Sequence, residues 1–114
     1  MPGTSKRLEF LQKLTSPAAS SGATAASTDP FAWYGLAMEY RSLERHDEAL
    51  AAFEALRARN PEYVAMYLMC GQMLEKLGRQ DDARAWMTSG LEAARKKGDS
   101  HAASELEAAL GTLG

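Results

Sequence analysis

The chain repeats itself at a spacing of 34 residues. At that shift Trp33 meets Tyr67, Ala37 meets Gly71, Tyr40 meets Leu74, Leu43 meets Leu77, Asp47 meets Asp81, Ala49 meets Ala83 and Phe53 meets Met87. Identity is low, but size is kept, large with large and small with small. A repeat of this length is one supersecondary unit, which cannot bury its apolar face alone and must stack on a neighbour. Inside the first copy, Trp33, Leu36, Ala37, Tyr40 and Leu43 recur three and four apart, as one face of a helix does. After a turn near Glu44–His46, Ala49, Leu50, Phe53 and Leu56 do the same. Each copy is therefore expected to be a pair of helices. Small residues sit where the two cross closely, and bulky ones fill the adjoining hollows.

Cap and breaker residues fall between these faces. Asp29–Pro30 pairs a side-chain acceptor with a proline in the first turn, where its missing N–H costs nothing. Asn60–Pro61 repeats that signal and is expected to open a third helix, with Tyr67, Cys70, Gly71, Leu74 and Leu77 on its face. Gly78 suits a left-handed helix end, and a fourth helix is expected from about Gln80 to Lys97, closed by Gly98. Asp99 or Ser100 then caps a fifth, with Ala103, Leu106 and Leu110 on one side. Before all of these, residues 4–14 read as a short amphipathic helix capped by Thr4 or Ser5, and residues 16–28 as an Ala/Ser/Gly/Thr-rich linker with nothing large to bury. The expected organisation is an N-terminal helix over 1–15, a flexible linker over 16–29, repeats over 30–63 and 64–97, and a capping helix over 98–114. Trp33, Tyr40, Ala49 and Phe53 should pack together in the first repeat, and Gly71, Leu74 and Ala83 in the second.

The first repeat resembles a tetratricopeptide repeat. Trp33, Leu36, Ala37 and Tyr40 match the signature of its first helix; Ala49, Phe53 and Pro61 match the second helix and exit turn. Leu56 departs, since a small residue is usual there. In the second repeat Tyr67, Gly71, Ala83 and Gly90 fit, while Arg95 stands in place of the exit proline. The resemblance implies an all-α fold, a right-handed solenoid of two helical hairpins followed by a C-terminal capping helix and preceded by a separate N-terminal helix. It also implies a protein-binding role without catalysis.

Composition and chemistry point the same way. The 114 residues carry a net charge of −2, without the basic excess of a non-specific nucleic-acid binder. The one basic run, Arg95–Lys97, falls at a helix end where cations complement the macrodipole. A lone cysteine, Cys70, fits a reducing compartment, and no apolar run approaches the ~20 residues that span a membrane, so a cytoplasmic location is expected. Cys70 falls on a buried face with no histidine near it in sequence, and reads as core. His46 and His101 stand far apart with no Cys/His cluster around them, which argues against a metal. Asp81 and Asp82 are neighbours on a helix and point about 100° apart, so they do not converge on a substrate. No nucleophile, base and oxyanion donors assemble, and neither a catalytic residue nor a cofactor is expected.

In the resembled family, the inner helices line a concave surface that holds peptides. Here that implies Phe31, Tyr34, Met38 and Arg41 from the first repeat, and Leu68, Met69, Gln72 and Glu75, with Ala65, from the second. A wall of Phe, Tyr, Met and Leu is more apolar than a solvated face needs to be, and thioethers suit an adaptable contact. The family's terminal-carboxylate grip uses Lys, Asn and Arg, but Tyr34, Met38 and Met69 fill the matching places. A protein or peptide partner with a helical or extended apolar segment is therefore expected. The alternative is a self-associating unit whose groove or flank is covered by its own N-terminal helix or by a second copy. That helix offers Leu8, Phe10, Leu11 and Leu14. It either packs beside residues 31–43, as the second helix of a missing preceding repeat would, or enters a concave groove.

Overall fold

Ser5 starts the first helix by accepting the Leu8 backbone N–H on its hydroxyl at 2.9 Å, while the same hydroxyl donates to the Glu39 carboxylate at 3.0 Å. The computed structural model describes residues 5–15 and 29–113, and among these it contains six α-helices and no strand. The expected linker over 16–29 lies outside the described residues apart from Asp29, as does the alternative cap Thr4. The helices fall into two units, residues 1–59 and 60–114.

The first unit holds α1 (Lys6–Thr15), α2 (Pro30–Ser42) and α3 (His46–Arg59). The Asp29 carboxylate accepts the Phe31 N–H at 3.0 Å, and Pro30 occupies the first turn of α2. Helices α2 and α3 pack as a hairpin over Leu36, Ala37, Tyr40, Ala49, Ala52, Phe53 and Leu56, all buried. Ala37 and Ala49 have no exposed surface, as their small size at a helix crossing requires. Trp33 is less deep than expected. It is only half-buried, with the Arg59 guanidinium 4.5 Å above its ring. Leu56, bulky and fully buried where the second unit has Gly90, marks the same departure between the two repeats. α1 packs on α2 through Leu8 and Leu11. A Leu11 methyl sits 3.2 Å from where a β-carbon on Gly35 would be, so the missing side chain permits this approach.

The turn from α2 to α3 is repeated in the second unit bond for bond. The Glu44 N–H bonds the Arg41 carbonyl at 3.0 Å and the Arg45 N–H bonds the Tyr40 carbonyl at 2.9 Å; 34 residues on, Gly78 bonds Glu75 and Arg79 bonds Leu74 at the same distances. Both turns place their central residue in the left-handed region, Glu44 at φ 60° and Gly78 at φ 81°. The residue after each then ties down the next helix. Arg45 grips Glu48 through two bonds of 2.6 Å, and Arg79 holds Asp82 at 2.7 Å. The hydrogen bonds from Arg45 keep the Glu48 carboxyl below the usual carboxylate range. The support from this pair is therefore present above that range and is lost as pH falls through the lowered value. Glu44 carries a side chain where glycine has no steric cost. Glu44→Gly is expected to stabilise the protein by about 0.5–1 kcal/mol, the left-handed penalty less the added freedom of the unfolded chain. A urea midpoint that falls would show that Glu44 earns its place through its side chain.

The second unit holds α4 (Ala65–Lys76), α5 (Gln80–Lys97) and α6 (Ser100–Thr112). Asn60–Pro61 does not cap α4, as the sequence had suggested. It makes a turn closed by the Tyr63 N–H on the Asn60 carbonyl at 3.0 Å, and α4 starts four residues after Pro61 with no side-chain cap. The Pro61 carbonyl instead accepts the Tyr67 hydroxyl at 2.6 Å. Helices α4 and α5 cross on two glycines. A β-carbon on Gly71 would stand 2.7 Å from Met87 Cγ, and one on Gly90 only 2.4 Å from Tyr67 Cβ and 3.1 Å from Leu106. Gly98, at φ 78°, ends α5, and the Asp99 carboxylate caps α6 by accepting the Ala102 N–H at 3.0 Å. α6 packs on α5 and on α4, and its Leu106 is fully buried.

Candidate interaction surfaces

In the second unit, α6 packs mainly on α5, with Leu106 beside Gly90, and touches α4 more lightly; the small Ala102 leaves space between α6 and α4. The result is a groove of about 280 Å³. Val64, Ala65, Leu68 and Met69 form one wall, and Asp99, His101, Ala102, Glu105 and Leu106 the other. Leu68 and Met69 are both half-buried there. Gln72 and Glu75, expected with them, are half-buried further along α4 and outside the groove lining. Sequence reading took α6 only as a cap and missed its wall. The available signal was the small Ala102 four positions before Leu106 on one helix face, too small to cover α4 completely.

A larger hollow, about 510 Å³, lies between the Pro61 turn and the end of α5, lined by Pro61, Glu62, Tyr67, Glu92, Ala93, Lys96 and Lys97. Arg95, part of the same basic run, points elsewhere and pairs with Glu107 at 2.8 Å.

In the first unit, Tyr34, Met38 and Arg41 share a half-buried stripe of α2, with an Arg41 nitrogen 3.9 Å from the Met38 sulfur. Phe31 begins that stripe and is 72 % exposed. α1 lies along a different stripe. Leu11 meets Gly35, Ser5 and Arg7 reach Glu39, and the Gln12 amide donates to the Tyr40 hydroxyl at 3.0 Å. Of its four expected docking residues, Leu8 and Leu11 are buried with Thr15, whereas Phe10 and Leu14 are 61 % and 39 % exposed. Helical geometry is the reason. Leu8, Leu11 and Thr15 lie on one line at i, i+3 and i+7, and Leu14 falls about 90° from it, with Phe10 further still.

The residues weighed for chemistry are dispersed. Cys70 is fully buried, His46 starts α3, and the His101 ring stands 3.6 Å from the Glu105 carboxylate. No group of three or more His, Cys, Asp or Glu able to hold a metal occurs among the described residues. No helix among them is long and apolar enough to cross a membrane.

Antiparallel helix pairs repeated every 34 residues, with small residues at each crossing, define a helical-repeat protein of the hairpin class. The chain belongs to the tetratricopeptide repeat family, whose sequence model matches residues 34–100. Two solved structures from Salinibacter ruber are similar to it at 39 % identity, each of a tetratricopeptide repeat domain protein. A solution NMR structure superposes with a TM-score of 0.71 over 75 % of this chain and 86 % of its own. A crystal structure superposes with a TM-score of 0.68 over 75 % of this chain and 94 % of its own. A comparison with curated proteins gives no match. The fold of this family generally mediates contacts between proteins.

Proposed function

We propose that the chain is a protein-binding module and that the groove between α4 and α6 receives an apolar side chain of a partner segment. The observation that carries this reading is the placement of Leu68 and Met69, half-buried on the wall of a groove whose opposite side includes Ala102 and Leu106. Both side chains keep part of their apolar surface at the groove, and an unbranched thioether repacks readily around different ligands. The Phe31–Tyr34–Met38–Arg41 stripe of the first unit is assigned a similar contact role. The reading needs neither cofactor nor catalytic residue, and the lone Cys70 suits a reducing, cytoplasmic setting. Self-association is the second reading, favoured by the outward Phe10 and Leu14 of α1, which sit among Lys6, Arg7 and Lys13.

The test is capture of partners by the full chain, followed by mass spectrometry, beside the double variant Leu68→Ala, Met69→Ala. The variant is expected to lose capture by at least about tenfold, as truncation of a central apolar anchor does, with helicity unchanged by circular dichroism. Full capture by a folded double variant would place the contact elsewhere. A concentration-dependent dimer that captures nothing would favour the second reading.

A further inference from the structure

We infer that the α4–α6 groove selects partner segments in which a lysine or arginine lies within about one helical turn of the apolar anchor. This inference rests on the reading of that groove as the partner site. Its floor is apolar, but the charged residues on its α6 side are Asp99 and Glu105, and no lysine or arginine lines it. The two carboxylates do not act equally. Asp99 caps α6, so the partial positive charge of the helix N-terminus offsets much of its field. Glu105 stands well inside the helix, where that offset has faded, and its side chain is 52 % exposed. Its neighbour His101, at 3.6 Å, is a counter-charge only when protonated. A segment that seats an apolar side chain on Leu68 and Met69 therefore brings its next residues within reach of the Glu105 carboxylate. A cation there gains an ion pair at the rim. A second carboxylate meets like charge within one screening length, about 8 Å at physiological salt. Rim charges of this kind set which partner is accepted more than how tightly it is held.

The probe is a random twelve-residue peptide library displayed on phage and selected on the full chain. Clones are then sorted by whether they survive Ala65→Trp, a substitution at an exposed lining position that fills the groove and leaves the core alone. Groove-dependent clones are expected to be enriched in Lys and Arg beside an apolar residue and depleted in Asp and Glu. Glu105→Lys should weaken them about three- to tenfold, the range for reversing one exposed ion pair, and should relax the bias in a repeated selection. Groove-dependent clones with no charge bias, or with an unchanged bias on Glu105→Lys, would overturn the inference and leave the groove reading standing. If no clone depends on the groove, the groove reading falls and the inference falls with it.

Discussion

Gly90→Ala lowers the stability of the protein by about 2 kcal/mol, although alanine is the better helix former. Helix propensity alone favours alanine by about 1 kcal/mol. Against it stands a β-carbon 2.4 Å from Tyr67 Cβ, where no rotamer change of the tyrosine can help, because the obstructing atom is fixed to its backbone. Helices α4 and α5 must separate, and overpacking against an atom that cannot turn aside falls at the upper end of about 1–3 kcal/mol, which leaves about 2 kcal/mol after the propensity gain. The movement also disturbs Leu106, 3.1 Å from the same point, so the loss spreads to the contact that seats α6. A fall in the thermal midpoint of roughly 10 °C is expected. The matched control is Gly111→Ala in α6, where nothing lies within 4 Å of the added carbon and φ is not positive. The same substitution should there raise stability by about 0.5–1 kcal/mol. Equal signs at the two sites would mean that the α4–α5 crossing is not as close as described.

Leu8→Ala with Leu11→Ala is expected to release α1 from α2. These two side chains are 1 % and 8 % exposed, and burial of a leucine contributes about 1.5–3 kcal/mol, so roughly 3–6 kcal/mol holds the helix in place. The polar contacts around them are weaker. Arg7 approaches Glu39 at 3.5 Å with its side chain 76 % exposed, and Ser5 and Gln12 each add one hydrogen bond. Once the leucines are gone, these bonds do not offset the entropy of ordering ten residues. Hydrogen exchange should then speed up across α1 and along the Ala32–Gly35–Glu39 stripe of α2. Retained protection of the α1 amides in the double variant would refute this account of the docking.

The repeat was legible because size is conserved at a fixed shift even where identity is not. Ala37 with Gly71 and Ala49 with Ala83 suffice to locate both helix crossings, and the left-handed ends at Gly78 and Gly98 follow from composition. Other features depend on tertiary contacts that no single residue advertises. Asn60–Pro61 has the composition of a helix start, but the Tyr67 hydroxyl claims the Pro61 carbonyl and the pair becomes a turn. Trp33 carries the family signature, yet remains half-buried under Arg59, a stacking partner 26 positions away. In α1, four apolar residues looked like one face. Only those in line with Leu8 reached α2, and Phe10 and Leu14 did not. The α6 wall of the groove was missed for a similar reason, since alanines signal a gap only once their neighbour is known.

The bond-for-bond repetition of the two hairpin turns bears on how the chain folds. Each turn is closed by backbone bonds spanning three and five residues and then fastened by an arginine to a carboxylate three positions on. The main contacts join helices that follow each other in the chain: α1 to α2, α2 to α3, α4 to α5 and α5 to α6. Loop closure is thus short at nearly every step, and little entropy is spent before packing begins to return it. Such a chain nucleates wherever a turn first closes and grows outward by adding the next helix. Rapid refolding is the expected kinetic signature, and a substitution in one turn should slow the start in its own hairpin while the other remains a ready point of initiation.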